Sequence, residues 1–428
     1  MRNDNSVQTY LPRIIDKEID RYLNTFGAVC IEGPKWCGKT RTCQEHCRSS
    51  VMLGDPHNNF QNRKLAEMSA DLVLDGESPR LIDEWQEVPP IWDAVRYRVD
   101  SLHRPGCFLL TGSATPNQKG ILHSGAGRIA RLRMRPMSLW ESGDSKGTVS
   151  LEMLCLGEMG AAMTGEVKLT DLIHLIIRGG WPASLNMTTE EASLTATQYL
   201  QAVLSDDTSR IDGVRRERRK LELVLRSLAR HESTTAKEAT LLRDIEQEQD
   251  KVSRLTLTDY LDVFQRLFLL DNQRPFSPSV RSKIRIKQSE KRHFSDPSLP
   301  AAILGLDTNG LLNDLETLGF LFEALCERDL RIYAESFGGQ LFHYQDYRDR
   351  EIDAVVALPD GSWTAFEIKL GTNQIDAAAE NLLRLSESLA ADNPKAAPTA
   401  LCVISGLTNA AYRRDDGVFV VPITSLKP

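Results

Sequence analysis

No run in this chain of 428 residues approaches the roughly 20 apolar residues that a membrane-spanning helix needs. The opening stretch, Met1-Arg2-Asn3-Asp4-Asn5-Ser6, leads into no apolar core, so no signal peptide is expected there. Cysteine is scattered, and none of the eight forms a Cys-x-x-Cys pair. Cys43, His46 and Cys47 lie close together but lack a second ligand pair, which makes zinc a poor expectation. Reduced thiols in a cytoplasmic protein are the simpler account. Positive charge is not in excess either. A net charge of -7 argues against a wholly basic nucleic-acid binder while leaving room for local basic patches. The length suffices for two or three domains, each with its own core.

Against these absences stands one octapeptide, Gly33-Pro34-Lys35-Trp36-Cys37-Gly38-Lys39-Thr40. It follows the apolar run Ala28-Val29-Cys30-Ile31 and precedes Arg41-Thr42-Cys43-Gln44-Glu45, which can continue as a helix. Strand, glycine-rich turn and helix start are the context that the G-x-x-x-x-G-K-[ST] phosphate loop requires. The glycines let backbone N–H groups converge on phosphate oxygens, and the helix start adds a positive dipole end. Residues 33–40, with Arg41 beside them, are therefore expected to bind ATP. Lys39 would reach the terminal phosphates and the Thr40 hydroxyl would hold Mg²⁺.

Alternating elements follow. Leu11 to Phe26 carries apolar residues at Ile14, Ile15, Ile19 and Leu23, a helical spacing. Strands are expected at Val51–Leu53, Arg80–Glu84 and Cys107–Ser113, with helices at Asn62–Met68 and Pro90–Leu102. This alternation implies a parallel sheet with helices on both faces. The second expected strand ends in Asp83 and Glu84. At the carboxyl edge of such a sheet Asp83 would hold the Mg²⁺ shell and Glu84 would polarise the attacking water. Thr111 or Ser113 would bond that water or the γ-phosphate, or belong to a plain turn. Arg128, beside Gly127, is the candidate arginine finger, with a solvated arginine as the alternative. Arg131, Arg133 and Arg135 follow on an alternating strand.

GPKWCGKT, RLIDEWQEVP, CFLLTGSATP and GRIARLRMRPMSLWE, in that order, resemble the widespread bacterial and archaeal AAA-type ATPases with an uncharacterised C-terminal domain. RGGWP, HFSDPSLPAAILG and GFLFEAL, further along, extend the resemblance over nearly the whole chain. It implies an ATPase domain carrying these motifs in this order.

Ser142 to Glu166 lacks periodicity and carries Gly143, Gly147, Gly157 and Gly160, which suggests a linker or lid. A mostly helical stretch follows, with the charge run Arg215-Arg216-Glu217-Arg218-Arg219-Lys220, read as an exposed helix face. Leu221 to Lys291 suggests a winged helix-turn-helix. Its third helix is expected from Thr256, as cap, to Leu270, and a strand at Lys283–Lys287 lies in a basic wing from Arg281 to Arg292. The wing suits backbone contact with DNA, whereas Asp259 and Asp262 on the helix would repel it, so DNA contact and protein docking both stand.

The last region carries a second constellation. A helix from Leu311 to Ile332 contains Glu323. Strands follow at Leu341–Tyr344, Ile352–Ala357 and Trp363–Lys369, then a helix at Gln374–Leu389 and a strand at Leu401–Ile404. Leu358-Pro359-Asp360-Gly361 is a hairpin turn signal that would set Asp353 beside Glu367 and Lys369, which share one strand face. The acids would hold a divalent ion with Lys369 orienting water, and Glu323 could join them. This arrangement resembles the restriction-endonuclease-like nuclease core, whose signature is Asp, a gap, then Glu-x-Lys on an αβββαβ frame. A core that keeps its acids for structure or for binding nucleic acid is the rival.

The expected fold is thus α/β. It comprises a P-loop AAA-type ATPase domain (1–141), a linker and helical region (142–217), a winged-helix-like module (218–296) and a restriction-endonuclease-like domain (297–428). The expected function is ATP hydrolysis with Mg²⁺, coupled to a metal-dependent nuclease-like domain acting on nucleic acid, with DNA the favoured partner. The alternative is a nucleotide-switched interaction protein with an inactive nuclease-like domain. A homo-oligomer or a protein partner fits either, and no membrane association is expected.

Overall fold

Ala28-Val29-Cys30-Ile31 has no polar side chain to offer water, so a strand built from it needs neighbours on both edges and cover on both faces. It finds them. The computed structural model describes residues 10–115, 122–248, 250–277, 287, 289–348, 350–392 and 397–428. They divide into two compact units, Met1–Arg135 and Pro136–Pro428.

In the first unit five strands run parallel: β1 (Ala28–Glu32), β2 (Ser49–Met52), β3 (Arg80–Asp83), β4 (Phe108–Gly112) and β5 (Ile129–Arg133). Their order is β2-β3-β4-β1-β5. Because β4 lies between β1 and β3, the loop after β1 and the acids ending β3 face each other across the end of β4. A core of Ala28, Cys30, Ile82, Leu110, Val95 and the stacked Trp85 and Trp92, 4.8 Å between ring centroids, covers one face of the sheet. The α/β alternation read from the sequence is present in this unit. The helix expected over residues 11–26 is confined to Asp16–Leu23, where the Asp16 carboxylate accepts from the Arg13 N–H at 2.8 Å and fixes the start.

The second unit holds a seven-stranded sheet. Its strands are β7 (Ala162–Met163), β8 (Gln340–Gln345), β9 (Glu351–Ala357), β10 (Trp363–Lys369), β11 (Ala400–Ser405), β12 (Ala410–Arg413) and β13 (Phe419–Pro422). They lie in the order β7-β12-β13-β11-β10-β9-β8. β8, β9 and β10 are antiparallel neighbours, and β11 joins β10 in parallel. The hairpin between β9 and β10 turns where expected, with Gly361 at φ 88 and its N–H donating to Leu358 O at 3.0 Å. The helix Ile375–Asp392 packs Ile375, Ala379, Leu382, Leu385 and Leu389 against Val355, Trp363, Ala365, Val403 and Val420. The long helix Leu315–Ser336, opened by the Asp314 side chain accepting from Thr317 N, lies against β8, β9 and β10.

Two expectations need correction. Ser142 to Glu166 is not a linker. It carries two short strands, β6 (Val149–Ser150), which pairs with β14 (Leu426–Lys427), and β7, which pairs with β12. Leu151, Leu154 and Cys155 are buried between them, and Arg178 holds Asp144 at 2.6 Å. Its glycines at 143, 147 and 157 all take positive φ, so they punctuate tight turns. Two-residue strands leave no periodicity to read. The helix expected from Thr256 to Leu270 runs instead over Arg254–Arg266, capped by Ser253, whose hydroxyl accepts from Thr256 N at 3.1 Å. It packs with Arg218–Arg230 and Glu238–Gln247. An antiparallel pairing of Leu270 with Phe294 and of Gln273 with Lys291 follows. Except for Lys287, the expected strand at Lys283–Lys287 lies outside the described residues.

Leu382→Ala removes a fully buried side chain from the interface between helix and sheet. It is expected to destabilise the second unit by about 2–5 kcal/mol in denaturant unfolding, with secondary structure retained in the absence of denaturant.

Candidate functional site

At the carboxyl edge of the first sheet the loop residues fall into place as their chemistry requires. A Cβ on Gly33 would come within 2.1 Å of the Met134 carbonyl oxygen, and Gly38 sits at φ 103, so both positions need glycine. Lys39 is buried and donates to the carbonyls of Gly33 (3.0 Å) and Pro34 (2.8 Å) across the loop. Cys37 is buried, Lys35 is half-buried, and Trp36, at φ 67, stands exposed on the outer turn. Arg41 points outward to Glu45.

Asp83 is the hub of this edge. Its Oδ1 accepts from the Thr40 hydroxyl and from the Thr111 hydroxyl, each at 2.7 Å. Burial pushes its carboxyl above the usual range, and the two hydroxyls pull it back part of the way. The Thr111 oxygen also accepts from Glu84 N at 2.9 Å, so one side chain at the end of β4 registers both acids. Glu84 takes the left-handed conformation (φ 57, ψ 48), a local strain of about 1–3 kcal/mol that this bond helps to hold. Its carboxylate accepts from Ser113 at 2.7 Å and from Gln86. Thr111 and Ser113 are therefore bonded to the two acids themselves.

Arg128 falls elsewhere. β5 runs parallel to β1 with Ile129 opposite Ala28, so Arg128 precedes the strand at the amino edge of the sheet. That is roughly 15 Å from the phosphate loop at 3.3 Å per residue. It pairs with Asp100 at 2.9 Å and is half exposed, so an arginine finger acting on its own subunit's loop is ruled out. Sequence reading overlooked Arg13, which is buried and donates to Cys37 O and Arg135 O, both at 2.8 Å, bracing the loop from behind. Nothing in a lone Arg before a helix would have marked it.

The second constellation also assembles, with an unexpected member. Lys369 Nζ lies 2.8 Å from Glu367 Oε2 and 3.2 Å from Asp353 Oδ2, and Ile368 N donates to Asp353 Oδ2 at 2.8 Å. Glu367 Oε1 accepts from Asn381 at 2.7 Å. Glu323 reaches the group only through Lys291. That ammonium, 1% exposed, bonds Glu323 and lies 3.7 Å from Asp353 Oδ1, 3.8 Å from Glu351 and 3.9 Å from Glu327. Burial alone would pull the Lys291 pKa down. The surrounding carboxylates outweigh it and hold the ammonium charged, while Lys291 and Lys369 together keep Asp353 ionised despite its burial. Burial pushes the Glu367 and Glu327 carboxyls up, to about 8. Beyond Glu327 the chain continues through His293, which faces Glu327 on one side and lies 3.0 Å from Glu232 on the other. Among the described residues no group of three or more His, Cys, Asp or Glu has the geometry to hold a metal ion. The divalent site expected from Glu323, Asp353 and Glu367 is thus filled by a lysine side chain. Its signal was in the sequence: Lys291 and His293 alternate on one face of an extended segment, and Glu323 and Glu327 are four apart on a helix.

Four of the five basic residues in the run at 215–220, which leads into the first of the three helices, are held in ion pairs. Arg216 holds Asp212 (2.7 Å) and Asp259 (2.9 Å), Arg218 holds Glu222 (2.8 Å), Arg219 holds Asp250 (2.9 Å) and Lys220 holds Glu217 (2.7 Å). No helix among the described residues is long and apolar enough to cross a membrane.

Comparison with known proteins agrees with the first of these sites. Residues 25–142 match a family described as an AAA domain. Residues 169–310 and 318–426 match two families described as domains of unknown function, DUF8612 and DUF4143. Uncharacterized proteins of Mycobacterium bovis and Mycobacterium tuberculosis are each 25% identical over 353 residues, which is 82% of this chain and 71% of theirs. Among solved structures, the Walker-type ATPase of Pyrococcus abyssi aligns with a TM-score of 0.44 at 12% identity. The alignment covers 71% of this chain and 99% of that one. The match to the AAA domain spans the phosphate loop and Asp83-Glu84 and supports a P-loop ATPase-like domain in the first unit.

Two measurements follow from the geometry. Thr111→Val keeps the shape of the side chain but frees Asp83 and Glu84 from their common tether. ATP turnover should fall on the order of 10²-fold with little change in KM, and Thr111→Ser should restore most of it. Glu327, whose folded-state pKa is raised from 4.5 to about 8, contributes stability that is whole below 4.5 and lost as pH rises through about 8. Glu327→Gln should therefore flatten the fall of Tm across that window, by roughly 5 °C at its upper end.

Proposed function

We propose that this chain is a magnesium-dependent ATP hydrolase working as a nucleotide-driven switch, and that its C-terminal domain is a restriction-endonuclease-like core used without cleavage. The observation that carries the first part is the convergence of Thr40 and Thr111 on one oxygen of Asp83 beside the phosphate loop. The residues fit the ligand. Thr40 and Asp83 offer hard oxygen donors suited to Mg²⁺, and Gly33 and Gly38 leave the backbone free of side chains where phosphates would lie. Bound Mg-ATP would supply the phosphoryl group and neutralise charge on its leaving oxygens. Lys39 would exchange its two carbonyl partners for phosphate oxygens. Thr40 and Asp83 would hold the metal shell, and Glu84, once released by Ser113 and Gln86, would orient water and take its proton.

The second part rests on order and on charge. Helix Leu315–Ser336, β8, β9, β10, helix Ile375–Asp392 and β11 follow the αβββαβ sequence of that nuclease core, with Asp353, Glu367 and Lys369 side by side. Lys291 within the same pocket favours a core that has exchanged catalysis for binding. The three helices and the pairing of Leu270–Gln273 with Lys291–Phe294 support a winged-helix module. Asp259 and Asp262 on the third helix, with most of the basic run at 215–220 held in internal pairs, favour a protein partner over DNA.

The test runs wild type, Lys39→Ala and Lys369→Ala through ATP hydrolysis, with and without DNA, and through incubation with labelled linear and single-stranded DNA in Mg²⁺ or Mn²⁺. Hydrolysis should drop at least about 100-fold in Lys39→Ala and stay unchanged in Lys369→Ala, with no strand cut. Cleavage that disappears in Lys369→Ala would replace this reading with a coupled ATPase–nuclease, the alternative that the Asp353–Glu367–Lys369 cluster favours. Hydrolysis stimulated by DNA would make DNA the partner.

A further inference from the structure

We infer that Lys291 is the resident cation of the C-terminal acidic pocket, standing where a divalent metal would be held, and that the pocket excludes metal for as long as this ammonium is in it. The argument deepens the nuclease-like reading above and rests on it for what the pocket would otherwise hold.

Three observations carry it. First, the ammonium lies within 4 Å of four carboxylates from two elements, Glu323 and Glu327 on the long helix and Glu351 and Asp353 on β9. Carboxylates gathered around one place are what a divalent cation recruits, and here the place is taken by a nitrogen that bonds Glu323 directly and has the other three at 3.7–3.9 Å. Second, the nitrogen is anchored. Lys291 and Gln273 exchange both backbone hydrogen bonds at 2.9 Å. The Gln273 amide in turn donates to Phe342 O at 2.8 Å and to Asp353 O at 3.3 Å, tying that segment to β8 and β9. A tethered cation competes at an effective concentration that free Mg²⁺ does not reach. Third, the pocket has ligand capacity to spare. Glu327 is 2% exposed, and its Oε1 meets no hydrogen-bond donor among the described residues, the nearest cation being Lys291 itself.

The consequence is specific. Without its ammonium the pocket should take up one divalent ion through Asp353 and Glu323, with Glu327 and Glu351 close enough to join after small side-chain shifts or through water. The experiment counts Mn²⁺ bound to the full-length, nucleotide-free protein by electron paramagnetic resonance. It also follows Tm with and without Mn²⁺, so it needs neither ATP turnover nor cleavage. Wild type should bind no Mn²⁺ that depends on Asp353 and show no Mn²⁺-dependent Tm shift. Lys291→Met should bind one further Mn²⁺ per chain and gain Tm with it, and both effects should vanish when Asp353→Asn is added.

Lys291→Met leaves buried carboxylates without their cation, so Lys291→Met/Glu327→Gln, which thins the cluster by one carboxyl group, is measured alongside. Folding of either variant that requires Mn²⁺ supports the inference. Failure of both to fold even with Mn²⁺ would overturn it, because metal would then be unable to stand in for the ammonium. So would folded variants that bind no Mn²⁺. Wild type that binds Mn²⁺ and loses it in Asp353→Asn would overturn it as well. Loss of ATP turnover in the tests above would sink the proposed function without touching this result.

Discussion

A carboxylate taken out of water must find positive charge or hydrogen-bond donors within a few ångströms, or give up its ionisation. Both candidate sites in this chain are answers to that constraint. Asp83 meets it with two hydroxyls on one oxygen, an arrangement that can be undone and remade as a metal and phosphates come and go. Asp353 meets it with two ammonium groups and a backbone N–H. The first solution is labile and suits turnover. The second is permanent as long as the fold stands, and breaking such a buried pair typically costs about 3–5 kcal/mol.

That difference separates the roles of the two units. In the first, strand order does the positioning: β4 lies between β1 and β3, so Thr111 reaches Asp83 and Glu84 at the end of β3 while Asp83 reaches Thr40 beyond β1. In the second, the segment that returns from the three helices delivers Lys291 to Glu351 and Asp353 of β9, and His293 to Glu232 and Glu327. The helical module and the sheet are therefore joined by charge around the buried Lys291 ammonium.

Much of this was legible from the sequence. The phosphate loop, the strand ending in Asp83-Glu84 and the order of elements from Leu315 to Ser405 follow from local rules of turn chemistry, apolar runs and alternation. What stayed hidden was set by topology or by distance along the chain. Arg128 sits beside a glycine in a promising motif, yet the parallel register carries it to the wrong edge of the sheet. Arg13 braces a loop more than 20 residues away through bonds to carbonyls, which leave no pattern. Lys291 reads as one more charge of a basic wing until the fold turns it inward. The glycines between 142 and 166 announce turns without saying that the strands between them are completed by residues near 410 and 426.

Those last pairings set the order in which the chain can acquire its structure during synthesis. The Ser145 hydroxyl is bonded to the carbonyl of Leu426, 281 residues along the chain, and β6 has no partner until β14 exists. The first unit closes by Arg135 and can fold while the ribosome is still translating the remainder. The stretch that follows must wait, its apolar side chains Leu151, Leu154 and Cys155 uncovered, for almost the whole second unit to emerge. With synthesis at about 5–20 residues per second, that interval is on the order of 15 seconds to a minute. It makes the newly made second unit, rather than the ATPase domain, the natural client for chaperones that shield exposed apolar chain.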